Sequence, residues 1–287
     1  MIDISVVILT KNAGKRFKKL MQSISNQNFS GRFEVIVIDS GSSNNTLDIA
    51  ETYGARIFKI KPGEFHHAKT RNLGAKLAEG RYLIYITQDA LPLNNMLLTN
   101  LILHLDKDPN VAGVYGRQIA YPNAKPMEKF FYKYFYPNKE RIITRRDLSN
   151  LTEFYLTHTY ISNVCSAIRK NIWKQIMFNE SIIMAEDKKW AIDVLRAGYT
   201  LVYEPKAMVY HSHEYSFLSA FKRRFYDGVA MKQIIGKSLV KIAYSNYLRN
   251  YLIPEFKFFY KNHKKWIPYA FIYEILKISG FVFGIKC

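Results

Sequence analysis

Thr87-Gln88-Asp89-Ala90-Leu91-Pro92 follows the apolar run Tyr82-Leu83-Ile84-Tyr85-Ile86 and ends it. A buried strand that closes on one carboxylate and a proline turn is how a parallel α/β sheet presents a metal-binding acid at its carboxyl edge. Asp89 has a second reading, because Asp is also a common cap and turn former and a helix is expected to begin near Asn94. The rest of the chain decides between the two.

Upstream, Ile4 to Thr10 is rich in β-branched residues and stops at Lys11-Asn12-Ala13-Gly14, as a buried strand followed by a polar turn would. Phe17, Leu20, Met21 and Ile24 recur at helical spacing, and a second strand, Phe33 to Ile38, ends at Asp39-Ser40-Gly41-Ser42-Ser43. A helix after Asn44, a strand from Ala55 to Ile60, a helix from His67 to Ala78 and the strand Tyr82 to Ile86 continue the alternation. Such an order predicts an α/β fold with a mostly parallel central sheet flanked by helices. Ligands of such sheets lie beyond the carboxyl ends of the strands, so the polar ends Thr10-Lys11-Asn12, Asp39-Ser40-Gly41-Ser42 and Thr87-Gln88-Asp89 can share one site. No G-x-G-x-x-G follows the first strand, which disfavours a dinucleotide-binding dehydrogenase. Gly41 between serines is by itself a turn signal, whereas a carboxylate at Asp39 can accept a nucleobase N–H or a ribose hydroxyl.

Downstream, a helix is expected from Leu97 to Leu105 and a strand from Val111 to Tyr115. Gln118 to Thr159 is a long polar and aromatic insertion holding Phe130-Phe131-Tyr132-Lys133-Tyr134-Phe135-Tyr136; it is either a lid or binding element, or a local helix packed on the core. Tyr160 to Ile168 returns to strand character and carries Ser162-Asn163. Glu186-Asp187 opens an amphipathic helix that includes Trp190 and stops at Gly198; the acids are either functional or an ordinary dipole-favoured first turn. Short strands at Thr200 to Glu204 and Ala207 to Tyr210 run into His211-Ser212-His213. Two histidines at i and i+2 of an extended segment point to one side and make a fair metal or phosphate ligand set, although a single useful histidine fits equally.

The chain has 287 residues, 48% of them hydrophobic, enough for a full core plus an appendage. Its formal charge of +19 admits nucleic acid, an anionic membrane or phosphorylated substrates as partners. Cys165 and Cys287 give neither a disulfide framework nor metal-ligand spacing, which favours a reducing, cytoplasmic setting, and Met1-Ile2-Asp3-Ile4 enters a strand without a signal peptide. From Glu214 onward, 13 Lys/Arg against 4 Asp/Glu are interleaved with Phe, Tyr, Leu and Ile, and Phe217, Phe221, Phe225 and Val229 repeat beside Lys222-Arg223-Arg224 as in a basic amphipathic helix. Trp266 to Ile285 is apolar but interrupted by Pro268, Glu274 and Lys277, so it is expected at a membrane interface or packed on the core rather than across a bilayer.

The runs Ser5 to Asn12, Val35 to Ser42 and Ile84 to Ala90 together resemble family 2 glycosyltransferases of the GT-A fold, the nucleotide-diphospho-sugar transferase fold. Gly63-Glu64-Phe65-His66-His67-Ala68-Lys69-Thr70-Arg71-Asn72 and Val209-Tyr210-His211-Ser212-His213 look like the bacterial rhamnosyltransferase branch, and the likeness covers roughly residues 3 to 220. It implies a catalytic domain over 1–213, with a nucleotide-binding half to about 117 and an acceptor-side half from about 118, and a helical extension over 214–287. Thr10, Lys11, Asn12, Asp39, Gly41, Ser42 and Gln88 would line the nucleotide pocket, with Arg71 on the diphosphate. Asp89 stands where the last acid of the family's Asp-x-Asp motif binds Mg²⁺ or Mn²⁺, and His211 or His213 where a C-terminal histidine completes the metal shell. Asp187, in its pair with Glu186, corresponds to the catalytic base, while Asn163 and Trp190 fall on the acceptor side.

These residue types suit direct displacement at an anomeric carbon, where a base takes the acceptor proton while metal and cations neutralise the departing diphosphate. Configuration would invert, and no protein nucleophile is needed. One departure is informative: Thr87 replaces the first Asp of the motif, a residue associated with ribose contact. A weaker ribose contact suits a nucleotide lacking the 2′-hydroxyl, and rhamnose is commonly carried on dTDP, so the expected donor is dTDP-L-rhamnose, with a UDP-hexose or UDP-N-acetylhexosamine as alternative. The basic aromatic tail implies a lipid-linked glycan acceptor and peripheral contact with the inner face of the cell membrane. Two other classes compete: a nucleic-acid-binding protein, against which no recognised binding motif occurs, and a catalytically inactive scaffold, against which Asp89, Asp187, Arg71 and the histidines stand together.

Overall fold

A computed structural model describes residues 2–158, 160–236 and 247–287. The strands among the described residues are β1 (Ile4–Thr10), β2 (Phe33–Asp39), β3 (Arg56–Lys59), β4 (Tyr82–Ile86), β5 (Leu91–Pro92), β6 (Val111–Ile119), β7 (Arg141–Ile143), β8 (Cys165–Arg169) and β9 (Thr200–Tyr210). They form one sheet in the order β3-β2-β1-β4-β8-β6-β9-β5, with β7 also on β9. The alternation expected from the first 86 residues is present: β1 pairs in parallel with β2 and β4, and β2 with β3. Beyond β4 the sheet is mixed. β8 lies antiparallel between β4 and β6, β6 runs parallel to β9, and β5 and β7 are antiparallel to β9. The reversed strand β8 needs no crossover helix because it is antiparallel to both neighbours, and at its entry the Thr87 N–H bonds to the Val164 carbonyl.

Helices α1 (Gly14–Ser25), α2 (Thr46–Thr52), α3 (His67–Leu77), α4 (Leu97–Lys107), α5 (Pro126–Phe135), α6 (Leu151–Thr157), α7 (Lys170–Gln175) and α8 (Glu186–Arg196) cover the sheet. Phe17, Leu20, Met21 and Ile24 of α1 pack with one face of β1 and β2, and α3 and α8 pack with the other through Ala68, Ala75 and Trp190. Two differences from the sequence reading matter. Thr200 to Tyr210 is one strand whose register shifts between Gly116 and Arg117 of β6, where Pro205 cannot donate to the ladder. The insertion is folded, and α5 sets Phe130 and Phe135 against Tyr251 of the tail, so its aromatics are packing groups rather than an open lid.

The tail contains α9 (Phe217–Ile235), α10 (Ile253–Asn262) and α11 (Ile267–Lys286). Part of the extension, 237–246, lies outside the described residues. α9 and α11 meet backbone to backbone: a Cβ on Gly228 would collide with the Phe281 carbonyl, and one on Gly284 with that of Phe225. The two charges that interrupt α11 turn inward. Glu274 is 2% exposed, is ion-paired with Lys277 at 2.5 Å and accepts from the Tyr247 hydroxyl at 3.0 Å. The outer side of the helix keeps Phe271, Ile272, Ile275 and Phe283 exposed. By length and composition alone 264–286 could cross a membrane, but here it packs along α9.

Candidate active site

The three polar strand ends are tied into one edge. Asp39 accepts four hydrogen bonds: Thr10 Oγ1 at 2.8 Å and Ser42 Oγ at 2.5 Å on Oδ2, and the Gly41 and Ser42 N–H groups at 3.0 and 2.8 Å on Oδ1. Burial would raise its pKa, but the bonds from Ser42, Thr10 and Gly41 outweigh burial and hold it below the ordinary value. Those bonds fill the acceptor sites of a carboxylate. Here Asp39 organises its own loop, and a nucleoside that bonded to it would displace Ser42. Gly41 has φ +93°, and a Cβ there would lie 2.7 Å from Pro62, so the turn requires glycine twice over. Asn12, also left-handed at φ 49°, accepts the Ser43 N–H at 2.9 Å and gives its own N–H to Ser42 Oγ at 2.8 Å. Gln88 bridges to the first loop, accepting the Lys11 N–H at 2.9 Å and donating to the Lys11 carbonyl at 3.3 Å.

Asp89 does not cap the helix after it, since α4 starts at Leu97 and is preceded by Met96 at the cap position. Its turn closes through the Ala90 N–H, which donates to the Thr87 carbonyl at 3.0 Å, and its carboxylate faces His211 and His213. One donor atom from each of the three lies within 4.8 Å of the others. Gln118 Oε1 at 2.9 Å and the Tyr132 hydroxyl at 3.0 Å both meet Nδ1 of His211. An Nδ1–H donated to Gln118 leaves the Nε2 lone pair facing Asp89 Oδ1, 3.7 Å away. Burial depresses the His211 pKa to about 3 although Asp89 pulls it upward, so the imidazole is neutral and the contact is not an ion pair. A neutral imidazole pair with one carboxylate is a donor set that fits a divalent cation of the Mn²⁺ type.

Across the same edge, Ala185 in left-handed geometry (φ 61°) starts α8 and puts Glu186 and Asp187 in its first turn. Asp187 accepts the Asn163 N–H at 3.0 Å and the Lys188 N–H at 2.8 Å. Burial first, and the charge of Glu186 second, raise its pKa above the ordinary carboxylate value. Three residues expected to meet substrate have partners inside the protein here. Arg71 is buried and donates to Glu186 at 2.7 Å, so its Nη1 is committed inward rather than open to a diphosphate. Asn163, 1% exposed, stands behind the acids, with Nδ2 3.4 Å from Glu186 and Oδ1 accepting from Ser166 at 2.8 Å. Trp190 belongs to the core, its indole N–H bonded to the Ile176 carbonyl at 2.7 Å.

Two further cations act on this edge. Arg223, on α9, has a side chain 46% exposed, and its charge acts on His67, His211 and His213. Arg16 at the start of α1 acts on the same two tail-side histidines and lies 4.3 Å over the ring of Tyr121, whose hydroxyl donates to the Asp89 carbonyl at 2.9 Å. The Lys222-Arg223-Arg224 run was visible in the sequence, but as an amphipathic face. Gln118 and Tyr132 gave no signal, since nothing local marks a side chain that holds a histidine far along the chain.

Comparison with known proteins gives the same picture. The pattern of the family described as Glycosyl transferase family 2 is matched over residues 5–176. The O-antigen chain rhamnosyltransferases RfbN of Salmonella typhimurium and WbaN of Salmonella anatum are 30% and 32% identical, each over 99% of this chain and 90% of its own length. Among solved structures, the mannosyltransferase PcManGT of Pyrobaculum calidifontis, in complex with GDP-Man and Mn²⁺, superposes with a TM-score of 0.60 at 14% identity, over 97% of this chain and 86% of that one. At that identity the likeness speaks for the fold.

Proposed function

The chain belongs to glycosyl transferase family 2, and from that premise we propose that it moves L-rhamnose from dTDP-L-rhamnose onto a hydroxyl of a growing, lipid-linked bacterial surface polysaccharide. The observation that carries this reading is the similarity to two O-antigen chain rhamnosyltransferases along essentially the whole chain, tail included. The departure at Thr87 supports the choice of nucleotide: its hydroxyl is buried and has no partner among the described residues, at the strand end where a ribose contact is expected.

In the proposed reaction Asp187 takes the proton of the acceptor hydroxyl. The acceptor oxygen attacks the anomeric carbon, the bond from that carbon to the diphosphate oxygen breaks, and the configuration inverts. The raised pKa of Asp187 makes it a stronger base than a free carboxylate, and the Asn163 and Lys188 N–H groups fix its direction. Glu186 and Arg71 act as positioning residues, holding α8 to α3 through their buried pair. Asp89, His211 and His213 would hold Mn²⁺ in preference to Mg²⁺, since two of three donors are imidazole nitrogens. When bound, the cation neutralises charge on the departing diphosphate. Arg16, exposed at the start of α1, and Arg223, half-exposed although paired with Asp227 at 3.3 Å, would add guanidinium groups for that same diphosphate.

The decisive measurement is transfer and hydrolysis with a panel of dTDP-, UDP- and GDP-sugars, each with Mn²⁺ and with Mg²⁺. dTDP-L-rhamnose is expected to give the highest kcat/KM, and a clear preference for a UDP-sugar would refute the assignment. The tail supports a cytoplasmic site of action at the inner face of the membrane: Phe271, Ile272 and Ile275 form an uncharged outer face next to Lys264 and Lys265. Flotation with anionic vesicles is expected to recover the wild type and to lose Phe271→Glu/Ile275→Glu. Equal recovery of both would sink the membrane contact.

A further inference from the structure

A second cavity, of about 350 Å³, lies between α5, α6 and the turn of the tail that precedes α10. Its wall combines tyrosines with planar polar side chains, Tyr134, Tyr247 and Tyr251 with Asn150, Glu153 and Arg141; Tyr251 is stacked on Phe135 and Tyr247, and Tyr134 is the exposed ring. This volume is within the range of small-molecule sites. Such a mixture is the chemistry of pyranose recognition, in which the C–H face of the ring lies on an aromatic surface while amide, carboxylate and guanidinium groups pair with adjacent hydroxyls. The charges on the wall are of both signs, with Lys139 and Arg141 beside Glu153, which favours a neutral polyhydroxylated ligand over a phosphate. Tyr134 is 38% exposed, and Asn150 and Glu153 are exposed as well, so the wall is reachable.

The cavity is coupled to the catalytic edge through α6. On one side of that helix the Tyr155 carbonyl accepts from Lys188 Nζ at 2.5 Å, next to Asp187. On the other, Glu153, Leu156 and Thr157 line the cavity. Both places adjoin α6, a helix of seven residues and so about 10 Å long, a length that a short run of sugar residues spans. We propose that this cavity is a glycan subsite, holding a sugar unit of the acceptor chain distant from the one that is glycosylated. Its role as an acceptor subsite rests on the transferase reading above; its affinity for a sugar does not.

The experiment has two arms on the full chain. In the first, saturation-transfer NMR with a panel of methyl hexopyranosides, without donor, is run on wild type, Asp187→Asn, Tyr134→Ala and the cavity-filling Thr157→Phe. Ring C–H signals are expected in wild type and Asp187→Asn and are expected to fall several-fold in the other two. In the second, acceptor KM is compared for a single-sugar glycoside and for a longer oligosaccharide of the polysaccharide. Tyr134→Ala and Thr157→Phe are expected to raise KM about tenfold for the long acceptor only, with kcat and donor KM unchanged. Two cavity variants that differ chemically guard against a folding defect, which circular dichroism would report. Sugar signals that survive in both folded variants would overturn the subsite, whatever donor the enzyme uses. Loss of the signals with no change in long-acceptor KM would overturn its role in acceptor binding.

Discussion

The nucleotide edge and the catalytic edge are built in opposite ways. At the first, Thr10, Asn12, Asp39, Ser42 and Gln88 hydrogen-bond among three loops that each end a strand of one parallel run, so their positions follow from the β-α-β order. At the second, Asp187, His211, Asn163, Gln118 and Arg223 come from a helix start, a strand exit, a turn, a strand and the tail, and their neighbours are chosen only by packing. The lesson is that the half of the site with regular topology tolerates reading by pattern. The half that performs the proposed chemistry depends on contacts between distant segments.

That contrast can be broken most forcefully at Asp187. Asp187→Asn is expected to lower kcat about 10³-fold, within the span of general-base effects, while titration with dTDP still shows wild-type affinity; unchanged turnover would remove it as the base. Next in size, Gln118→Leu should weaken Mn²⁺ binding by about 10- to 100-fold by freeing the His211 ring. Calorimetry reads this directly, and full affinity in the variant would leave Gln118 without a positioning role. A smaller change is expected at the nucleotide edge, where Thr87→Asp should move the ratio of UDP to dTDP affinity about tenfold toward UDP, the worth of one charged hydrogen bond. No movement would separate residue 87 from the ribose.

The smallest effect concerns pH. Burial and then Glu186 raise the Asp187 pKa, so its proton is held to higher pH and kcat/KM should rise with pH through a value above the ordinary carboxylate range. Glu186→Gln removes the like charge and should shift that acid limb to lower pH, while burial keeps it above the ordinary value. A limb that moves upward in the variant would contradict the pairing. Because Glu186 also holds Arg71, the variant should be checked for retained thermal stability.

Much of this was legible beforehand because periodicity and strand ends are local. Asp89 at the end of β4, the polar loops and the acids at the start of α8 are where the pattern puts them. Trp190 and Asn163 were placed facing the acceptor and are instead buried, because one helix face or one strand end cannot reveal which neighbour it meets. Glu274 and Lys277 looked like breaks in an apolar helix. Their mutual pairing, toward Tyr247, leaves the outer face uncharged.

Asp89 therefore does not cap the next helix, since α4 begins well after it, and two histidines converge on its carboxylate. The sequence by itself determined the alternating α/β order, the three loops on one edge and the identity of the acids, because backbone periodicity and turn chemistry act over a few residues. The reversal of β8, the inward commitment of Arg71 and the groups that orient His211 emerge only in the fold. Those depend on which surfaces bury one another, and burial is a property of the whole fold rather than of any stretch of the chain.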